Sequence, residues 1–251
     1  MKPSTEKELT RISKFNVTSA ETDMFSRIQL GAYVNLLIQA SIHSADDMGY
    51  GFRDLAQKQL FWVLSRLTID IYRPLEWHDA VEVETWAKGM NRLFYLRDYV
   101  VRDNDRDVVG RGTSGWLAVD LETKRPKRIE DEGSDLFEHL KDKHAMNELP
   151  ESLGKVKDGK QFEVQSSYFD IDLNKHVTST RYIDWMMDTF SPEFHRDHYP
   201  KRLSVNYMRE TKPLEFIRIL RSKTDEQHYA FEGINVGADT TAFRGKIEFG
   251  K

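Results

Sequence analysis

The chain has 251 residues, of which 39% are hydrophobic and 31% charged, with a formal net charge of −4 and no cysteine. That length suits one large domain or two of about 125 residues, and the missing thiols exclude disulfides, thiolate metal sites and a cysteine nucleophile. The small net charge argues against a general nucleic-acid binder, and the longest apolar runs, such as LFWVL at 60–64, are too short to span a bilayer.

The opening MKPSTEKELTRIS has neither a signal-peptide apolar core nor an Arg/Ser-rich transit pattern, so a cytoplasmic protein, or a mature form cut to look like one, is expected, with a bacterial cytosol favoured over a plastid. Alternation then predicts a strand over Arg11–Thr18, and Ser26-x-x-Gln29 reads as a capping box. Leu30, Tyr33, Val34, Leu37, Ala40 and Ser41 follow at helical spacing, predicting a helix to about Met48. Strand-like stretches come next at Leu60–Tyr72, Ala80–Lys88, Leu93–Arg102 and Val108–Leu121, the last two joined through the turn residues Asp103-Asn104-Asp105. Residues 124–160 lose apolar periodicity, as in KRPKRIEDEGS, and read as a linker with one short helix near Asp135–Asp142. After it the order restarts. A strand over Gln161–Ser167 precedes a helix over Val177–Phe190, then strands near Arg202–Glu210, Leu214–Lys223, His228–Val236 and Thr241–Phe249.

The restart is a repeat. LSRLTIDIYRPLE (64–76) and LSVNYMRETKPLE (203–215) align with a shift of 139, while the segments before the helices align with a shift of 149. These shifts set Asp23 opposite Asp172, Phe25 opposite Asn174, Arg27 opposite His176 and Ile71 opposite Glu210. The architecture expected is α+β, two copies of a helix with an antiparallel sheet. Polar chemistry sits in the second copy, where the first carries mostly bulk.

The motif DIDLNKHV (170–177) places Asp170, Asp172, Asn174 and His176 at alternate positions, which predicts one face of an extended segment running into a helix start. Unpaired N–H groups there suit a developing oxyanion. A His beside an Asp can be held in one tautomer and move protons near neutral pH, and Asn174 can hold a substrate oxygen or a water. Glu210, read as a strand residue, would be raised toward general-base use by burial. The same residues also admit plainer readings: Asp172 and Thr178 as helix caps, His176 as a satisfied side chain, Glu210 as a solvated charge. Metal binding by His176, Asp172 and Glu210 is weakly supported, because no second His or Cys stands at ligand spacing. No Gly-x-Ser-x-Gly elbow is present.

DIDLNKHV followed by a Tyr-containing helix and then NYMRET resembles the acyl-acyl carrier protein thioesterases of plants and bacteria, whose signature is Asp-x-Asn-x-His-Val with a distant Glu. LFWVLSRLTIDI, WHDAVEVETWA and RDYVVRD extend the resemblance over roughly residues 10–250. It implies two tandem hot-dog domains, each a long helix wrapped by an antiparallel β-sheet. The expected boundaries are 1–128 for an N-terminal domain on the acyl-pocket side, 129–160 for the linker and 161–251 for the catalytic domain. It also implies hydrolysis of fatty acyl-acyl carrier protein to a free fatty acid, with Asp172, Asn174, His176 and Glu210 catalytic. No cofactor or metal is expected. The partner expected is an acyl carrier protein bearing a fatty acyl chain, bound near Arg181, Lys201 and Arg202, with the enzyme a monomer or homodimer. Two departures stand out: Thr211 where the family often has Cys, and Thr178-Ser179 where it often has Asn-Asn. Within the same fold class, a 3-hydroxyacyl dehydratase and a non-catalytic acyl-thioester binder are the alternatives.

Overall fold

The computed structural model describes residues 6–129 and 134–250. After a short helical turn, α1 (Glu6–Leu9), the first half contains β1 (Arg11–Asn16), α2 (Leu30–Asp47), α3 (Phe52–Gln57), β2 (Leu60–Ile71), β3 (Ala80–Asn91), β4 (Phe94–Arg102) and β5 (Val108–Asp120). The second half contains β6 (Lys160–Gln165), α4 (Ser179–Met187), α5 (Pro192–Asp197), β7 (Tyr199–Tyr207), β8 (Phe216–Lys223), β9 (His228–Asn235) and β10 (Thr240–Gly250). All ten strands form one antiparallel sheet in the order β1-β3-β4-β5-β2-β7-β10-β9-β8-β6. The second half repeats the strand order of the first about the β2–β7 junction, so the molecule is a tandem pair of hot-dog units.

The helical spacing read in α2 is its buried face: Leu30, Tyr33, Val34, Leu37, Ala40 and Ser41 are all buried. Gly49, at φ +74°, ends the helix. Its N–H donates to the Asp46 carbonyl and that of Tyr50 to the Ala45 carbonyl, a Schellman closure. The expected capping box at Ser26 does not form. The N-cap is Gln29, which makes no side-chain capping bond, and Ser26 lies in a turn at φ +64°. The predicted β4–β5 hairpin does form, with Asp103 Oδ1 accepting from the Asp105 and Asp107 N–H groups at 3.0 and 2.9 Å. The predicted helix near Asp135–Asp142 is instead a 3-10 turn over Ser134–Glu138, and residues 130–133 of the KRPKRIEDEGS stretch lie outside the described residues. The helix expected over Val177–Phe190 is α4, two to three residues shorter at each end, and beyond it Ser191 caps a separate short helix, α5, with Pro192 in its first turn.

Helices α2 and α4 cover the inner face of the sheet and cross closely. A Cβ on Gly31 would stand 2.1 Å from Asp184 Oδ1 and 3.2 Å from the Thr180 carbonyl oxygen. Inner-facing Leu67 and Ile69 correspond to Val205 and Tyr207, an offset of 138 (205 − 67) and not 139. The reason is an irregularity in β2 between Leu64 and Arg66. Leu67 therefore pairs with its own counterpart Val205, and the pseudo-twofold axis passes through that pair.

The outer face is covered by an extended strap, residues 143–156, read from sequence as linker. Its backbone is held by side chains that rise from the sheet. Asp98 accepts from the Ala145 and Met146 N–H groups, Thr68 Oγ1 from Glu151, Asn206 Oδ1 from Leu153 and Glu232 Oε2 from Val156. Asp98 also pairs with Lys88 at 2.8 Å, both side chains almost wholly buried. Removing one partner of such a pair leaves an uncompensated buried charge. Asp98→Ala is expected to cost about 3–5 kcal/mol in urea unfolding; a loss below about 1 kcal/mol, the value of an exposed pair, would show that the strap is not anchored there.

Candidate active site

The four residues singled out in the second copy come together at one end of the sheet, but by a different local geometry from the one the sequence predicts. DIDLNKHV is not extended. Residues 168–170 form a 3-10 turn, and residues 171–177 fold back on themselves with Ile171 bridged to Val177. The Asp172 N–H donates to the His176 carbonyl at 2.9 Å, the Lys175 N–H donates to the Asp172 carbonyl, and Lys175 sits at φ +67°. Asp172 Oδ1 accepts from the Asn174 N–H at 2.8 Å and, more weakly, from the His176 N–H at 3.5 Å. The period-two spacing therefore belongs to a tight turn built around one carboxylate.

The first copy makes the same turn. Asp23 Oδ1 accepts from the Phe25 and Arg27 N–H groups at 2.8 and 3.0 Å, Ser26 takes the positive φ, and Thr22 bridges Ile28. Each position is its counterpart minus 149, as the sequence alignment gave. This comparison within one chain separates framework from chemistry. Asp172 builds the turn, as Asp23 does where no imidazole is present, while Asn174 and His176 replace Phe25 and Arg27 and are what the second turn adds.

Glu210 does not lie on a strand. β7 ends at Tyr207, because the Met208 and Arg209 N–H groups both donate to the Ala242 carbonyl, a bulge that lifts the chain off the sheet. The Glu210 side chain is 48% exposed, so burial is not what prepares it. Its carboxylate Oε2 stands 3.0 Å from His176 Nε2. The two segments are pinned by the Val177 N–H, which donates to the Thr211 carbonyl at 2.9 Å. Thr211 is fully buried, so the position where the family often carries Cys acts through packing and its backbone. Thr178 is the N-cap of α4 but makes no side-chain cap bond; its N–H donates to the Asp170 carbonyl. The N–H groups of Ser179 and Thr180, first in α4, donate to no described residue.

Beneath the pair, burial pushes the Tyr182 phenol up to about 12, with Glu210 adding to the effect, so this hydroxyl stays protonated at neutral pH. Asp170 lies behind the turn rather than in it. Burial pushes its carboxyl upward, but the Ser167 N–H, the Arg181 guanidinium and the Ser167 hydroxyl together hold it below the ordinary carboxylate range. The cations expected to receive a carrier protein are committed elsewhere. Arg181 pairs with Asp170 and Asp184, Arg202 with Asp70 and Glu148, and Lys201 Nζ donates to the Tyr72 carbonyl.

Two cavities flank these elements. One of about 420 Å³ lies against the first copy's turn, where Asp23, Arg27, Asp184, Asp188 and His195 contribute to its wall. Arg27 there is fixed by Asp23 and by the His195 carbonyl. The other, about 70 Å³, lies on the inner face of the first half between α2 (Ser41, Ile42, Ala45) and Trp62, Ala87, Tyr95, Leu96, Arg97, Trp116 and Phe137.

Two fused halves of the same strand order, with His176 and Glu210 paired beside the helix-entry turn of the second and Arg27 and Ile71 at those places in the first, define a tandem hot-dog protein. Comparison with known proteins agrees. A family model for the acyl-ACP thioesterase N-terminal domain matches residues 8–137, and one for the C-terminal domain matches residues 153–251. The chain belongs to the acyl-ACP thioesterase family. A crystal structure of an acyl-ACP thioesterase from Bacteroides thetaiotaomicron superimposes with a TM-score of 0.90 at 25% identity, covering 98% of this chain and all of that one. The 12:0-ACP thioesterase of Umbellularia californica shares the fold, with a TM-score of 0.84 at 22% identity over 96% of this chain and 97% of its own. The chain is 27% identical over 239 residues to oleoyl-acyl carrier protein thioesterase 1 of Arabidopsis thaliana, a chloroplastic protein, covering 88% of this chain and 66% of that protein. It thus spans about two thirds of the length of that plant relative.

Asp170 supplies a pH test of this framework. Its carboxyl is depressed in the folded state, so its contribution is complete above the ordinary value near 3.8 and is lost as pH falls through the lower folded value. Asp170→Asn is expected to lower stability at pH 7 by about 1–3 kcal/mol. Its thermal midpoint should converge on that of the parent as pH falls through that lower value. A difference that persists unchanged in acid would remove the charge from the explanation.

Proposed function

We propose that the protein hydrolyses the thioester of a fatty acyl group on acyl carrier protein, releasing a free fatty acid. The observation that carries the reading is the 3.0 Å contact between His176 and Glu210, assembled by a turn and a bulge at one copy of the repeat and replaced by Arg27 and Ile71 at the other. Family membership supports it and does not favour the dehydratase or the silent binder.

Water is the nucleophile. Glu210, with His176 beside it, takes the water's proton as oxygen bonds to the thioester carbon, a role typically worth ~10²–10⁴ in rate. The carbonyl oxygen gains negative charge and is received by uncommitted N–H groups at the start of α4, those of Ser179 and Thr180, aided by the helix dipole. The carbon–sulfur bond then breaks, and the proton held on the pair passes to the leaving thiolate. Asn174 holds the water or the thioester, and Asp172 keeps Asn174 and His176 in place through their N–H groups. No step calls for a metal or cofactor.

The first half, residues 1–128, is assigned to the acyl chain, residues 129–160 to the connection and residues 161–251 to the chemistry. The support is symmetry. The first turn shares a cavity with Asp184 of α4 and Asp188 at its C-cap, and the same symmetry assigns Asn35 and Gln39 of α2 to the second turn. Ile42 and Ala45, on the wall of the apolar inner cavity, begin one turn further on. We assign the protein to a bacterial cytosol because of its fit to the Bacteroides protein. Tandem fusion supplies within one chain the pairing that a single hot-dog domain finds by dimerising, so a monomer suffices.

Thiol release from medium- and long-chain acyl carrier proteins, followed with a thiol-reactive dye, tests the reaction; the cysteine-free chain adds no background. Glu210→Ala is expected to lose about 10²–10⁴ in kcat while remaining folded, and near-parental turnover by that variant would sink the assignment. Ala45→Phe, which fills the inner cavity, is expected to shift the chain-length optimum downward at a stability cost of about 1–3 kcal/mol. An unchanged optimum would take that cavity off the acyl path.

A further inference from the structure

The end of the second half beside His176 and Glu210 carries apolar side chains that the fold does not bury. Phe169 is 87% exposed, Tyr168 83%, Leu173 81% and Leu214 69%, and Met208 is half exposed. The backbone gathers them into one rim. The Leu214 N–H donates to the Ser166 carbonyl and the Ser166 N–H to the Glu215 carbonyl, while Val177 is bound to Thr211. The Tyr168 and Phe169 rings meet edge to face at 5.3 Å. Exposed apolar side chains gathered on one rim in this way mark a place where another molecule sits. Leu214 makes the point more sharply, because it holds φ +66°, a conformation that Gly or Asn adopts with less strain, and its side chain is mostly in solvent. Local stability gives no reason for a leucine there.

Charge on the rim has one free sign. The exposed cations Lys175, Arg209 and Lys212 form no ion pair among the described residues. The neighbouring carboxylates are engaged: Asp172 with the Asn174 N–H, Glu215 with the Lys212 N–H and the Asn235 amide, Glu210 with His176. The cations suggested by sequence, Arg181, Lys201 and Arg202, are the ones already bonded within the chain.

We propose that this rim is the docking surface for the carrier: a small acidic protein that presents its acyl thioester on a flexible pantetheine arm. The proposal rests on the thioesterase reading above. Phe169, Leu173 and Leu214 form the apolar centre of the contact, and Lys175, Arg209 and Lys212 receive the carrier's carboxylates. A second copy of this chain fits less well. A twofold contact would set the three cations against their own counterparts, and it would cover the His176–Glu210 pair that the substrate must reach.

The test compares one acyl group on two supports, acyl carrier protein and free acyl-pantetheine, with Phe169→Ser, Leu214→Asn and the double variant Arg209→Glu/Lys212→Glu. On the carrier-linked substrate each is expected to raise KM about tenfold or more with kcat held within about twofold, and to leave kcat/KM for acyl-pantetheine within about twofold. Added salt should narrow the gap between the double variant and the parent. Equal losses on both substrates, or none on either, would overturn the proposal. Titration of fluorescein-labelled holo-acyl carrier protein gives a readout independent of turnover. Binding weakened about tenfold in the variants supports the surface even if the parent hydrolyses nothing, which would count against the reaction alone. Unaltered binding in the variants overturns the surface and leaves the reaction standing. A parent dimer that these substitutions dissociate would give the rim to a second copy, again overturning it.

Discussion

The main-chain pairing of β2 with β7, from Arg66 opposite Asn206 to Asp70 opposite Arg202, is the constraint on which the remaining geometry depends. Either half alone would leave a long central strand with a bare hydrogen-bonding edge, an invitation to association. Joined, the two edges disappear into one sheet, and the register through Leu67 and Val205 fixes a pseudo-twofold axis. The axis sets α2 across α4 at Gly31, where only a hydrogen fits beside Asp184 and the Thr180 carbonyl. It thereby sets the first turn against α4, with which it shares a cavity. The strap across the outer face ties the two halves together, bonding to Asp98 and Thr68 in one and to Asn206 and Glu232 in the other.

Within that frame, the turn before each helix is a device of the fold, closed in the same way in both copies. Both copies spend an aspartate on holding two N–H groups and a non-glycine residue on the positive φ. What differs is at positions the turn does not need for its own closure. His176 takes the place of Arg27, Asn174 that of Phe25, and the bulge at Met208–Arg209 brings Glu210 where the first copy keeps the buried Ile71 on its strand. A bulge adds one residue and re-aims the next, which is why such irregularities occur beside active sites.

How much of this was legible in the sequence follows from which signals are periodic. The α2 face, the strands, the Asp103 hairpin and the duplicated order are patterns of apolar spacing or turn composition, and they stand close to where they were read. The strap was not legible, because it is held by backbone N–H groups donating to Asp98, Asn206 and Glu232, and buried acceptors of that kind look in sequence like solvated strand residues. The turn at 170–177 was misread as extended because alternate polar residues mark a strand face and a carboxylate-centred turn equally. Its left-handed position is filled by Lys175, and the corresponding one in the first copy by Ser26, so the glycine that would have announced a turn is absent. Nothing in Met208-Arg209-Glu210 announces a bulge either. Glu210 was found by its place in a motif, and its exposure had to come from the structure.

The asymmetry between the halves has a physical cause beyond the missing histidine. The first turn still opens on the larger cavity, so space alone does not make a site. Arg27 carries a guanidinium that does not give up its proton near neutral pH, and its two-point bond to Asp23 ties up the carboxylate as well. Ile71, sealed in the core, puts no carboxylate at the position that Glu210 holds in the second copy. α2 runs eighteen residues without interruption, and its far end helps to wall the apolar inner cavity. α4, by contrast, stops after nine residues at Met187 and the chain turns away into α5. On the reading proposed above, the half that kept a long unbroken helix is the one assigned the acyl chain, and the half that gained a bulge the one assigned the cleavage.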